Sequence, residues 1–337
     1  MIMGYLCTKL KIKCLKYTYL FTHTINMISW HPGKTNNSDS RFSIIIPSWN
    51  NISFLKICLD SIEKNSSFKH QIIIHVNEGA DGTLEWIRNS GLDYTYSAEN
   101  VGVCWAMNAS RGLVRTDYIV FLNDDMYMLP CWDLELWNKI QSLSDKYFFL
   151  SSTTIEPRVS PHPGILAPFD YGSTPETFRE EDLLREYKSI QSSDWSGATW
   201  PPNIVHKDVW DLVGGYSIEY FPGLYSDPDF SMKLYEAGVR TFIGLDSSRA
   251  YHFGSKTTRR ITLNNGSKQF LNKWGITSGS FNRLFLKRGQ PYQGEILGKL
   301  PRKLIRMALL KGSLKRIFWL AGGTGKTKGA HSCNKNT

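Results

Sequence analysis

Residues 119–128 read IVFLNDDMYM: strand-forming apolar side chains run directly into an amide and two adjacent carboxylates, Asn123, Asp124 and Asp125. Like charges side by side repel, and neither carboxylate belongs beside an apolar run without a partner. An ordinary turn closing a strand uses the same residue types. The neighbouring segments decide between a turn and a site.

Working outward from it, the chain alternates strand and helix patterns. FSIIIPSWN (42–50) is a short apolar run stopped by Pro47, as in a strand buried on both faces. Leu55, Cys58, Leu59 and Ile62 then recur at helical spacing, with Asn51 or Ser53 expected as the cap. QIIIHV predicts a second buried strand, and Asp81 is placed to cap a helix that carries Leu84 and Ile87 and ends at Gly91. DYTYS predicts a short strand, VCWAMNASRGL a helix, and DYIVFL the strong strand that meets the acidic turn. This order predicts an α/β fold with a Rossmann-like, mostly parallel central sheet flanked by helices. Ligands in such sheets lie beyond the carboxyl ends of the strands. The polar turns PSWN, NEGAD and NDD would gather on that rim.

The second half is less regular. CWDLELWNKIQSL predicts a helix, YFFLSS a strand, and 155–193 a long segment with four early prolines, the length of a lid or binding loop. IVHKDVWDLVGGY predicts a short helix closed by glycines. SDPDFSMKLYEAG predicts a helix capped by Ser226 or Asp227, and VRTFIGLD a strand leading into RAYHFG.

Composition bounds the classes of function. At 337 residues and 41% hydrophobic, the chain can build a large core without staples, and its six cysteines form no CxxC pair. The net charge of +10 is concentrated at the ends: residues 295–337 carry +9 and residues 1–40 carry +4, which leaves the body at −3. A nucleic-acid groove is therefore not indicated, and the basic ends suit an anionic membrane surface. Lysines interrupt every apolar run of residues 1–27, against a cleaved leader or a spanning helix. Three regions are expected: a basic extension and linker over 1–40, the main domain over 41–290, and a basic tail over 291–337 whose segment 299–320 has the pattern of an amphipathic interfacial helix. GGTGKTKG near the end lacks the spacing and the preceding strand of a phosphate-binding loop.

SIIIPSWNNISFLKICLDSI, ADGT, NVGVCWAMNASRG, YIVFLNDDM, VGGY, SDPDFSMKLYEAG and YHFG, in that order over about 42–256, resemble the family 2 glycosyltransferases of the GT-A fold. The resemblance implies an inverting, metal-dependent transfer of a sugar from a nucleotide-diphosphate donor to the hydroxyl of a glycan or lipid-linked acceptor. It casts 123–125 as the D-x-D motif with Asn123 replacing its first acid, Asp125 as metal ligand and Asp124 near the donor ribose. His252 in YHFG would be a second ligand, and an imidazole suits Mn²⁺ better than Mg²⁺. By the same resemblance Asp227 is the base, supported by Asp229 on the acceptor side. Pro47, Ser48, Asn77, Asn100, Gly102 and Asn108 would line the nucleotide-sugar pocket, and Trp195 and Trp200 the acceptor region. Asn77 and Val76 stand where relatives carry acids, and Ser226 where many carry Glu. Two other readings stay open: a catalytically degenerate carbohydrate-binding protein, and a sugar nucleotidyltransferase, although PSWNNIS lacks the Gly-rich basic loop of the latter. The tails and cysteines point to the cytoplasm, at the cytoplasmic face of a membrane.

Overall fold

The computed structural model describes residues 28–34, 39–162, 164–254, 264–296 and 301–321. The lysine-rich segment 1–27 and GGTGKTKG lie outside the described residues. The apolar run after Phe42 forms β2 (Ser43–Trp49), preceded by an edge strand β1 (Ile28–His31). Next come β3 (Gln71–Asn77), β4 (Asp93–Ser97), β5 (Tyr118–Phe121), β6 (Met126–Met128), β7 (Phe148–Ile155), β8 (Ile165–Leu166), β9 (Trp195–Ser196), β10 (Asn203–His206) and β11 (Thr241–His252). They form one sheet in the order β1-β4-β3-β2-β5-β10-β7-β11-β6, with β8 beside β7 and β9 beside β11. The strands β4, β3, β2, β5, β7 and β11 all run one way, while β1, β10 and β6 run against them.

Alternation along β2 explains the layers. Ile45 faces one core, Ile44 and Ile46 the other, because successive side chains of a strand point to opposite faces. One face packs on α1 (Ile52–Asn65), α2 (Thr83–Ser90) and α4 (Trp132–Gln141). The other face packs on α3 (Gly102–Ser110), α6 (Lys207–Val213), α7 (Ser226–Glu236) and α8 (Gly266–Trp274). The short α5 (Glu180–Glu186) covers a smaller cluster around Tyr127 and Tyr251. From β2 the chain winds out to β3 and β4 and then returns to place β5 on the other side, which makes the β2–β5 boundary a topological switch point. β2 pairs with β5 only through Ser43–Ile45, so Pro47 stands beyond the last ladder partner on that side and the strands diverge there. A crevice opens where they part.

Several local expectations are corrected. Asn51 takes the N-cap position of α1 but its side chain makes no capping bond; the Ile52 N–H donates to Asp81 Oδ2 at 2.8 Å, while Asp81 Oδ1 accepts from the Thr83 N–H and hydroxyl, so one carboxylate serves two helix starts. IVHKDVWDLVGGY is a strand followed by a helix, because Asn203–His206 fills the gap between β5 and β7. Ser226 and Asp227 lie inside the first turn of α7, and the position before them is Tyr225, held in the left-handed region at φ +71°. The strand read as YFFLSS continues through Ser152, Thr153 and Thr154, all buried, to Ile155. At the boundaries, β1 adds to the sheet from the extension expected over 1–40, and residues 291–296 bind the body through Tyr292 N–H to Asp194 O and Ile296 N–H to Arg240 O.

The basic segment forms α9 (Arg302–Leu320). It docks by a narrow stripe: Ala308 and Gly312 are buried, a Cβ on Gly312 would come 2.3 Å from Gly275 O, and Arg316 donates to Leu271 O. Met307, Leu310, Leu314, Ile317 and Phe318 are each more than half exposed. Among the described residues no helix is long and apolar enough to cross a membrane.

Candidate active site

The carboxyl ends of β2, β3, β5, β7 and β11 and the start of α7 enclose a cavity of about 480 Å³. Its lining includes Pro47, Ser48, Asn77, Asn100, Gly102, Asn123, Asp124, Asp125, Trp200, Asp227 and His252. The polar turns expected on one rim therefore do meet.

The acidic turn is held from beneath and from the side. Asp124 is 7% exposed and accepts from the Ser48 hydroxyl at 2.7 Å, which fixes it against β2. Asp125 is 2% exposed, and its backbone carbonyl accepts from the Phe253 N–H, which brings the end of β11 alongside. As a result Asp125 Oδ2 lies 3.3 Å from His252 Nε2. Both atoms are buried without a hydrogen-bond partner. The other ring nitrogen, Nδ1, lies 2.8 Å from Glu156 Oε1. Sheet register produces this contact: β7 and β11 are parallel with Ile155 opposite Tyr251, so Glu156 and His252 follow side by side. Burial pulls the His252 pKa down, but Asp125 and Glu156 outweigh it and hold it up at about 10. An imidazolium between two carboxylates balances charge as a bound cation would. Paired with each other and with no further hydrogen-bond partner, these carboxylate and imidazole atoms are of the kind that would fit a divalent ion.

Asp227 is half-buried at the cavity wall. Burial pushes its carboxyl up to about 7, held back by the Tyr216 hydroxyl, which donates at 3.4 Å, and by the Arg288 cation. A carboxylate that titrates near neutrality suits a general base. Gly102 lets α3 approach the loop before α7: its φ is +71°, and a Cβ there would lie 2.7 Å from Pro222 O. The Asn100 side chain accepts from the Gly102 N–H at 2.9 Å and so starts α3 at the cavity edge.

Other expected site residues have structural work. Asn77 borders the cavity, but its amide oxygen accepts from the Val101 N–H at 2.9 Å and from the Ser97 hydroxyl at 3.3 Å, so it braces strand ends instead of offering a free acceptor to a base. Asn108 does not line the cavity: its amide donates to Tyr216 O and accepts from Tyr216 N–H, which clamps the turn that carries Tyr216 to Asp227. Asp229 is fully buried outside the cavity, where Ser217, Trp274 and Lys273 consume its oxygens, so it joins α7 to α8 and does not meet an acceptor. Trp195 is 4% exposed and lies on Gly244, where a Cβ would fall 1.8 Å from its ring; it backs Trp200 and is closed to a sugar.

Residues that the sequence reading missed also face the cavity: Glu156, His162, Thr199 and Arg288. Glu156 was hidden because its strand ends in Ser-Ser-Thr-Thr, which reads as a loop although every side chain is buried. Arg288 lies beyond the recognisable motifs, and no local pattern marks it.

Residues 43–183 match the model of glycosyl transferase family 2. Among solved structures the chain is similar to S. aureus TarS 1-349 in complex with UDP, at 14% identity over 87% of this chain and 76% of that one, with a TM-score of 0.48. It is similar to GalNAc-T7 with UDP, GalNAc and Mn²⁺, at 12% identity over 85% and 58%, with a TM-score of 0.51. It is also similar to the mannosyltransferase PcManGT from Pyrobaculum calidifontis in complex with GDP-Man and Mn²⁺, at 15% identity over 92% and 84%, with a TM-score of 0.46. The chain spans 36% of a longer TarS chain and 58% of GalNAc-T7. No curated protein matches it. The family match covers β2 to β7 and the acidic turn between them. On these grounds residues 43–183 are similar in sequence to the family 2 glycosyltransferases, and the chain carries the GT-A fold.

Proposed function

We propose that the protein transfers a sugar from a nucleoside-diphosphate donor to an acceptor hydroxyl, with inversion at the anomeric carbon and with a divalent cation, Mn²⁺ in preference to Mg²⁺. One observation carries the reading: Asp125 Oδ2 and His252 Nε2, both buried and unsatisfied, converge to 3.3 Å in the cavity that Asp227 also lines. When bound there, the cation neutralises charge that gathers on the departing diphosphate. Asp125 and His252 would hold it, and Glu156 accepts the Nδ1 proton so that Nε2 faces Asp125. Ser48 fixes Asp124 at the wall of the cavity that Asn100 and Gly102 also line, where these residues would hold the donor's ribose and diphosphate. Asp227 takes the acceptor hydroxyl's proton during attack, and its elevated pKa keeps proton transfer favourable near neutral pH. Inversion follows if that single base and the leaving diphosphate occupy opposite faces of the sugar.

We also propose that α9 rests on the cytoplasmic face of a membrane and that the acceptor is a surface glycan or lipid-linked saccharide. Support comes from its exposed apolar side chains, from the basic residues Arg302, Lys303, Arg306 and Lys311 beside them, and from the absence of any acid between Arg302 and Leu320. The test of function is a panel of nucleotide sugars assayed with and without Mn²⁺. Metal-dependent release of the nucleoside diphosphate is expected. Release of pyrophosphate, or binding without turnover, would reject glycosyl transfer.

A further inference from the structure

Among the described lining residues of the cavity, Asp124, Asp125, Glu156 and Asp227 are acids, and Arg288 is the sole lysine or arginine. Its backbone is built into place. The Arg288 N–H donates to Asn282 O at 2.9 Å, the Gly289 N–H to Ser196 O at 2.8 Å, and the Ser196 N–H to Gln290 O at 2.8 Å, which zips this loop to β9. Gly197 lies flat on it, and a Cβ there would approach Arg288 Cα to 2.7 Å. The guanidinium carbon stands 5.1 Å from the centre of the Trp200 ring, which stacks at 5.1 Å on Trp195. Trp195 in turn donates to Thr153 at 3.0 Å. With Trp195 stacked on it and Arg288 beside the ring, Trp200 holds the guanidinium in position at the cavity wall.

Arg288 is placed with care and left unsatisfied. Its guanidinium donates no hydrogen bond and closes no salt bridge among the described residues, although it is partly withdrawn from water. Five N–H donors in such a place favour a ligand that supplies oxygens. The charges that sense it are Asp227 and His162, whereas the donor diphosphate has the cation site of Asp125 and His252 to neutralise it. Arg288 therefore marks the side of the cavity where the acceptor meets its base. We propose that Arg288, braced by Trp200, is a subsite for an anionic group on the acceptor, a carboxylate or a phosphate taken in the planar fork of the guanidinium. The proposal rests on the glycosyl transfer reading and narrows its acceptor to acidic saccharides or phosphate-bearing carriers.

Ligand-observed NMR on the full chain, with wild type, Arg288→Gln and Arg288→Lys, tests it with two matched pairs: glucuronate against glucose, and glycerol 3-phosphate against glycerol. Wild type is expected to favour the anionic member of at least one pair by about 10- to 100-fold, the worth of a hydrogen-bonded charge pair. The pair that responds tells carboxylate from phosphate. Arg288→Gln should erase the preference and Arg288→Lys retain part of it. No preference in either wild-type pair, or a preference that survives in Arg288→Gln, would overturn the subsite. Parallel titrations with UDP and GDP in Mn²⁺ separate the two readings. If Arg288→Gln weakens nucleotide binding as much as sugar binding, the residue serves the donor and the acceptor assignment is wrong. If wild type binds neither nucleotide, the transfer reading falls and takes the acceptor assignment with it.

Discussion

The two walls of the cavity were built by different means. The wall proposed for the donor is local: Pro47 and Ser48, Asn77, Asn100 and Gly102, and the acidic turn each sit within a few residues of a strand end, so sheet topology alone brings them together. The wall proposed for the acceptor is assembled from distant pieces, with Trp200, Asp227 and Arg288 brought together by backbone bonds between β9 and the loop after α8. Residues placed by topology are anchored by the sheet, whereas residues placed by tertiary packing depend on braces such as Asn108, Asp229 and Trp195. Substitutions should separate chemistry at the first wall from support at the second.

Loss of the base should have the largest effect. Asp227→Asn should lower turnover by roughly two to four powers of ten while donor affinity holds, and a near-wild-type rate would remove it as base. The wild-type rate should fall about tenfold per pH unit below about 7, because the base must be ionised and its pKa lies there. The same shift predicts a trade with stability. A carboxyl whose folded pKa is raised costs stability above its ordinary value of about 4, increasingly up to about 7, so Asp227→Asn should melt higher than wild type at pH 8 and lose that advantage at pH 4. A melting difference independent of pH would contradict this.

Next comes a brace. Asp229→Ala removes bonds to Ser217 and Trp274 and leaves the Lys273 ammonium without its buried partner, so about 2–4 kcal/mol of stability should be lost in denaturant unfolding. Acceptor KM in the folded fraction should hardly move, whereas a large KM change at wild-type stability would restore Asp229 to the acceptor site. Glu156→Gln should weaken Mn²⁺ binding by about 10- to 100-fold, read by electron paramagnetic resonance of free Mn²⁺, because the amide no longer fixes the His252 ring as a carboxylate does. Equal affinity would make Glu156 a bystander. The smallest effect is expected at α9, where Leu310→Asp with Leu314→Asp should reduce co-sedimentation with vesicles containing phosphatidylglycerol and leave solution turnover intact; unchanged sedimentation would mean the helix has another role.

The same contrast explains what could be read from the sequence. The parallel strands, their helices and the acidic turn follow from periodicity over 42–141, and there Asp124, Asp125 and Pro47 stand where the pattern put them. His252 and Asp227 could be reached only through the order of family motifs, since neither lies in a local pattern that demands a ligand or a base. Glu156 was masked by a buried strand of serines and threonines, in which the Ser152 and Thr153 hydroxyls are satisfied by Ser248 and Leu245 O. Asn108 and Asp229 stand off the cavity lining for a related reason: a polar residue near a site reads the same whether it faces a ligand or clamps the frame, and the hydrogen-bond partners show these two clamping the frame. Arg288 has no sequence signal, because its position depends on a loop zipped to a two-residue strand nearly a hundred residues earlier.

The central claim is that the second aspartate of the acidic turn and the histidine ending β11 together hold a cation that binds the donor's diphosphate. Isothermal titration of Mn²⁺ and then UDP or GDP into wild type, Asp125→Ala and His252→Ala tests it most directly. The account predicts Mn²⁺-dependent nucleotide binding in wild type and its loss in both variants while each remains folded. Nucleotide binding of equal strength in all three proteins, indifferent to Mn²⁺, would contradict it.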